Sequence, residues 1–133
     1  MSQENVEVVK RLYGAFNRRD MTAMLDVIDP DVEWVPILAV LEGHPYRGHE
    51  GFKRWVEALD PDWERFEVDY EELRDLGERV LVFGHWRGRG RASGVEFENQ
   101  PATWLYEFKD GKIVRLQTFT DRADALAALG LDS

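Results

Sequence analysis

The sequence predicts an α+β domain in which helices from the first half pack on one face of a curved antiparallel sheet built by the second half. Three amphipathic stripes at helical spacing precede Pro61, and four β-rich runs follow it. Asp110-Gly111 between the last two runs is a strong hairpin signal, because Gly accepts a positive φ without a Cβ clash. At 133 residues and 44% hydrophobic, one domain spanning 1–133 is expected, with a core that dispenses with disulfides or metal clips. The absence of cysteine removes a thiolate metal site and a Cys nucleophile. A net charge of −9 argues against a nucleic-acid surface or an anionic membrane. No apolar run approaches the roughly 18 residues needed to cross a bilayer, so the expectation is a soluble cytoplasmic protein.

Val6, Val9, Leu12, Tyr13 and Phe16 form the first helical stripe, with Ser2 as its N-cap and Glu4 in the favourable first turn. Residues 17–20 break it. Asp20 caps a second helix carrying Met21, Met24, Leu25 and Ile28, which Asp29-Pro30-Asp31 should end. Val32 to Val35 reads as a short strand, made an edge or a strand end by Pro36. A loop from Ile37 to Gly48 leads to a third helix with Phe52, Trp55, Val56 and Leu59, closed by Asp60-Pro61.

Phe66 to Leu73 alternates at period two, with Phe66, Val68 and Tyr70 on one side. Gly77-Glu78 turns the chain into Val80 to Arg87, apolar on both faces and therefore central. Gly88 to Gly94 reads as a Gly-Arg loop, followed by a strand from Val95 that bends near Pro101. Asp121 caps a last short helix through Leu129, with Gly130 just past its end. The hairpin admits two registers. A two-residue loop pairs Lys109 with Lys112, and a type I turn with a Gly bulge pairs Phe108 with Lys112. The bulged form gathers Trp104, Tyr106, Phe108, Val114, Leu116 and Thr118 on one face, leaving Leu105, Ile113, Arg115, Gln117 and Phe119 on the other. Burial of a single face selects it.

Few motifs carry chemistry. Gly88, Gly90 and Gly94 join strand to strand and match neither phosphate-loop spacing. Arg87, Arg89 and Arg91 read as a solvated tip or, more sharply, as an anion gate beside a pocket. His44, His49 and His85, with Glu42 and Glu50, lack metal-ligand spacing, so no metal and no cofactor is expected. Ser93 lacks a nucleophile elbow. His85 shares a parity with Leu81 and Phe83; if these face the helices it points inward, as a satisfied core histidine or a general base. Asp121 is an N-cap or, less simply, an acid–base partner. Trp34, Trp55, Trp86 and Trp104 are core or the walls of a cavity with one polar edge.

The order of elements resembles the NTF2-like superfamily and, within it, the SnoaL-like proteins. The residues that carry the likeness are Tyr13-Gly-Ala-Phe16-Asn17 with Asp20, then Asp29-Pro-Asp-Val-Glu-Trp34 and Tyr46-Arg-Gly48. The second half adds Arg87-Gly-Arg-Gly-Arg-Ala-Ser-Gly94 and Asp110-Gly-Lys-Ile113 through Phe119-Thr-Asp121. The resemblance implies a cystatin-like cone, a curved sheet wrapped around helices with an apolar pocket at its open end. It also implies a homodimer through the outer sheet face, for which Leu105, Ile113 and Phe119 would be suited. Ketosteroid isomerase, polyketide cyclases and limonene epoxide hydrolase share the superfamily. The isomerase positions for oxyanion tyrosine, base and protonated aspartate fall here on Leu12, Trp34 and Trp104, which cannot run dienolate chemistry. The Asp-Arg-Asp set of the hydrolase is not visible.

The first reading is a SnoaL-like pocket protein binding a small apolar or aromatic ligand at Phe16, Trp34, Tyr46, Trp55, Trp104 and Tyr106. A second is a cyclase- or isomerase-type enzyme with His85 or Asp121 as acid or base near a carbonyl. A third is a non-catalytic dimerisation module with a filled core.

Overall fold

A computed structural model describes residues 2–37, 39 and 43–131 of the chain. The Ser2 side chain, expected to cap the first helix, and Glu42, weighed as a metal ligand, lie outside the described part. The elements run α1 (Ser2–Arg18), α2 (Met21–Asp26), β1 (Ile28–Val35), β2 (Tyr46–Arg47), α3 (Gly48–Asp62), β3 (Trp63–Asp75), β4 (Arg79–Gly90), β5 (Glu96–Lys109), β6 (Lys112–Phe119) and α4 (Arg122–Ala128). They build a six-stranded sheet in the order β2-β1-β6-β5-β4-β3. β1 lies parallel to β6, and every other neighbouring pair is antiparallel. No described helix is long and apolar enough to cross a membrane.

Asp20 and Asp121 cap α2 and α4 as expected, accepting from Ala23 N and Ala123 N, and Gly130 takes φ 68 beyond α4. Several boundaries move for local reasons. Ile28 opens β1 rather than closing α2, and Pro30 sits in β1 where its ladder to β6 is interrupted between Ile28 and Glu33, so its missing N–H breaks no pairing. Pro61 lies inside α3, where it removes one bond from the final turn and the helix continues to Asp62. The Gly-Arg run is strand as far as Gly90, not loop. Gly84 permits the sheet to bend, since a Cβ there would stand 2.1 Å from the Asp69 carbonyl oxygen.

The hairpin takes the two-residue register, and Phe108 does not pair with Lys112 as the bulged form expected. Asp110 (φ 52) and Gly111 (φ 79) make a two-residue turn with Lys109 opposite Lys112. The bulge then falls at Val114, because Phe108 opposes Ile113 whereas Glu107 opposes Arg115. Ile113 is therefore in the core and Val114 only half-buried, the reverse of the expectation. Past the bulge, Trp104, Tyr106, Leu116 and Thr118 share the inner face as the alternation required.

Two apolar clusters bury the two faces. On the concave side Val6, Val9, Leu12, Tyr13 and Phe16 of α1 meet Val80, Val82, Tyr106, Phe108, Ile113 and Leu116, with Phe52 and Val56 of α3 beside them. On the convex side Leu81, Phe83 and Leu105 are covered by Ala125 and Leu126 of α4. β4 is thus apolar on both faces because α4 folds over its back. Leu105 lies beneath that helix, Ile113 faces inward, and Phe119 packs on the convex cluster. Of the three residues expected on a free outer face, Leu105 and Ile113 are buried within the chain and Phe119 is half-buried.

Asn17 ties α1 to the edge strand β3. Its Nδ2 donates to the Val68 carbonyl at 2.8 Å, and its Oδ1 accepts from Val68 N at 3.0 Å. The amide stands in for a missing strand and fixes the height of Tyr13 and Phe16 over the sheet. Asn17→Ala is expected to lower stability by about 1–2 kcal/mol in urea denaturation, with Asn17→Asp intermediate because it keeps the acceptor.

Candidate functional site

The first half of α1 packs shut against the sheet and the second half does not. Between Leu12, Tyr13 and Phe16 of α1, Phe52, Trp55 and Leu59 of α3 and the concave sheet lies a cavity of about 410 Å³. The sheet contributes Trp34, Phe66, Val68, Trp86, Trp104, Tyr106, Leu116 and Thr118. With Trp55 and Trp63, all five tryptophans of the chain line it. Their rings brace one another: Trp34 meets Phe52 edge-on at 4.7 Å, Phe16 stacks on Trp55 at 5.5 Å, and Phe66 stacks on Trp86 at 5.3 Å. A wider groove of about 730 Å³ between α1 and the hairpin is lined mostly by Gln3, Glu4, Glu7, Arg11 and Asp110. It lacks an apolar wall with converging polar groups, the usual form of a small-molecule site.

Polar groups in the cavity wall are few. Tyr106 donates its hydroxyl proton to Tyr13 Oη at 2.9 Å, and both rings are buried. Burial raises the Tyr13 hydroxyl well above the ordinary tyrosine range, and Tyr106 beside it pushes the same way. Burial likewise raises Tyr106, slightly offset by its bond to Tyr13. The pair is neutral near pH 7. Trp34 Nε1 and Thr118 Oγ1 are buried with no hydrogen-bond partner among the described residues. Asp62, at the exposed end of α3, is the carboxylate among the lining residues.

Of the residues expected to bind ligand, Phe16, Trp34, Trp55, Trp104 and Tyr106 line the cavity. Tyr46 does not. It pairs with Trp34 on β1, but the first turn of α3 closes over it, leaving 3.0 Å between its carbonyl carbon and a Cβ built on Gly51. His85 is on the opposite face. Val68 and Trp86 pair across β3 and β4 and point inward, so Asp69 and His85 point outward. There His85 lies 3.4 Å from Asp69 and 3.5 Å from Glu71. Its parity with Leu81 and Phe83 was right, but those two lie under α4 rather than under α1 and α3. Asp121 is occupied as the cap of α4, 2.6 Å from Ala123 N, and is not in the cavity wall. The fold does not bring His85 and Asp121 together in the cavity.

The arginines do not form an anion gate. Arg87 pairs with Glu67 and Asp69, Arg89 with Glu96 at 2.9 Å, and Arg91 donates to the Asp60 and Trp63 carbonyls at 2.9 and 3.0 Å. His49 Nε2 is 2.8 Å from the Ile28 carbonyl, and among the described residues no three His, Asp or Glu side chains are placed to hold a metal. Sequence reasoning left Tyr13, Trp63, Phe66 and Thr118 out of its site and kept Trp86 only as a possible cavity wall. Tyr13 shares the Phe16 stripe, and its hydroxyl on an otherwise apolar face was the available signal. Trp63 was hidden by reading Asp60-Pro61 as a stop.

The tyrosine pair has a pH signature. The folded state holds both phenolic protons more tightly than the unfolded chain, so its contribution is complete below the unfolded value near 10 and lost as pH rises beyond it. Tyr13→Phe and Tyr106→Phe should each cost about 1–2 kcal/mol, and the double variant less than their sum. Between pH 8 and 11 the double variant should lose less stability than the parent in urea titrations. An identical alkaline loss would show that the pair is not the source.

The sequence profile of the SnoaL-like domain matches residues 9–116. An NTF2-like protein of unknown function from Burkholderia pseudomallei superposes with a TM-score of 0.78 at 24% identity, over 93% of this chain and 95% of that one. TerC, co-crystallised with polyporic acid, superposes with a TM-score of 0.78 at 26% identity, over 95% and 97%. A protein with a ketosteroid isomerase-like fold from Catenulispora acidiphila, in complex with trimethylamine, gives 0.75 at 21% identity, over 95% and 94%. Among curated proteins, the ribosomal protein L11 methyltransferase of Salmonella dublin is 32% identical over 84 residues, 62% of this chain and 28% of that protein. The chain spans about a quarter of the length of the curated relatives it matches.

Proposed function

The chain belongs to the SnoaL-like domain family, with an NTF2-like fold, and we propose that it is a pocket protein binding one small apolar or aromatic ligand among its tryptophans. The observation that carries this reading is the convergence of all five tryptophans on one cavity of about 410 Å³. Five indoles converging on one cavity suit a flat apolar guest. TerC, similar over nearly its whole length, was co-crystallised with polyporic acid, which supports a ligand site in this fold. Methyl transfer draws no support here, since the likeness covers 28% of that enzyme.

A second reading, proton transfer beside a carbonyl in the cyclase or isomerase manner, is favoured by the buried Tyr13–Tyr106 pair. A hydroxyl fixed in an apolar wall polarises a carbonyl oxygen without reorganising. Since His85 and Asp121 are elsewhere, the base would be Asp62 on the cavity wall. The cavity of about 410 Å³ weighs against the filled-core dimerisation module. Pairing of two copies would use the outer face away from α4, around Arg115 and its partners Glu33 and Glu107.

Equilibrium dialysis against naphthalene tests the first reading. Saturable uptake of one molecule per chain is expected. Ala102, on the cavity wall opposite Gly84, offers a plug: Ala102→Phe should weaken uptake by about tenfold or more while leaving the thermal midpoint within a few degrees. Uptake that is absent, or indifferent to the plug, contradicts the reading.

A further inference from the structure

We propose that the cavity takes an aromatic quaternary ammonium ion, held against Trp86 and Trp104 with Asp62 as counter-charge at the mouth. The proposal rests on the pocket reading above and adds the charge of the guest. What a guest can touch is narrower than what lines the cavity. Trp34, Tyr13 and Tyr106 are packed almost completely shut. The tyrosine hydroxyls are turned on each other, and Trp34 Nε1 and Thr118 Oγ1 are closed off within the wall. Trp86 and Trp104 keep accessible surface. They stand on β4 and β5, interior strands of the sheet, and both point to its concave side, so that surface opens where the cavity lies. In the β4–β5 ladder Trp86 pairs with Gln100 and Val82 with Trp104, which sets the two indoles roughly 13 Å apart along the strands. Between them Gly84 pairs with Ala102, a floor that carries nothing larger than a methyl group. Trp55 of α3, also part-exposed, lines the cavity from the helical side.

Charge selects the guest further. Among the described residues no Lys, Arg or His lines the cavity, and Asp62 is its one charged side chain. An anion would be desolvated there without a counter-charge. A ring face is electron-rich, and tryptophan offers a cation the best of the side-chain faces. The chain's own cations sit on other rings: Arg19 stands 4.4 Å over Phe16 and Arg122 3.7 Å over Phe83. Among the described residues no Lys or Arg stands over an indole. Asp62 is exposed and in no ion pair with a described residue, and Arg91 close by is committed to the Asp60 and Trp63 carbonyls. A primary ammonium would carry N–H donors into an apolar wall, where each needs an acceptor. A quaternary nitrogen brings the charge without those donors, and its methyl groups suit the apolar floor. The net charge of −9 favours its approach.

The test is equilibrium dialysis of the full chain at low ionic strength against trimethylphenylammonium and tert-butylbenzene, which share a shape and differ by a charged nitrogen in place of a carbon. The parent protein should bind the cation more tightly by about threefold or more, the order of a cation on aromatic faces. A merely apolar cavity reverses that order, because the ion is the better hydrated of the two. Trp86→Leu, which keeps an apolar wall, should abolish the preference. Asp62→Asn should weaken the cation by about threefold, as an exposed charge does, and added salt should weaken it less in that variant than in the parent. Affinity for tert-butylbenzene held within about threefold of the parent shows that each variant keeps its fold. Equal or tighter binding of tert-butylbenzene by the parent overturns the cation site while leaving the pocket reading standing. Failure of both compounds while naphthalene still binds does the same, and failure of all three overturns the two readings together. A preference that survives Trp86→Leu overturns the assignment to the indoles, and an unchanged cation affinity in Asp62→Asn overturns the counter-charge.

Discussion

A curved sheet has to bury its concave face, and here two helices cover that face unequally. Val6 and Val9 in the first half of α1 close on Val80, Val82, Phe108 and Ile113, leaving no room at that end. Further along, Asn17 holds the end of α1 against Val68 on the edge strand, and α3 leans in from the other side. Apolar wall remains uncovered between them. Burial of exposed apolar surface is worth roughly 25 cal/mol per Å², so an apolar guest filling a gap lined by aromatic rings would be stabilised there. Large rings suit this position because each braces its neighbours at centroid distances such as 4.7 and 5.5 Å, keeping the cavity from collapsing.

The same curvature separates charge from cavity. Ion pairs of Arg87, Arg89 and Arg115 lie on the convex or solvent side, where exposed pairs contribute little to stability. Among the described residues the concave wall keeps hydroxyls, indoles and one rim carboxylate, Asp62. Any catalysis in it would depend on polarising an oxygen, with Asp62 the carboxylate within the wall.

Much of this arrangement was legible in the chain. The stripe Val6, Val9, Tyr13, Phe16 and the alternation Phe66, Val68, Tyr70 each give a face directly, because period fixes which side chains travel together. The aromatic wall at Phe16, Trp34, Trp55, Trp104 and Tyr106 followed from those faces. Period does not say which face looks inward, and β4 shows the consequence. Val80 to Phe83 is apolar throughout, so either parity satisfied a core, and α4 decides the matter by covering Leu81 and Phe83 from behind. His85 was misplaced for that reason. Tyr46 failed differently: its strand pairing was local, but the helix that shuts it off packs through Gly51, a contact no periodicity encodes. In the hairpin, turn chemistry and face burial were treated as alternatives. A bulge at Val114 satisfies both.

A ligand site with an aromatic wall must respond at its tryptophans when a guest enters. Five indole N–H resonances report on it directly in a ¹H–¹⁵N correlation spectrum, since every tryptophan lines the wall. Titration with a small aromatic ligand such as naphthalene should shift all five, while the backbone amides of Gly77 and Gly111, in turns away from the cavity wall, stay in place. Indole resonances that remain fixed at saturating ligand, or shifts confined to the outer face, would contradict it.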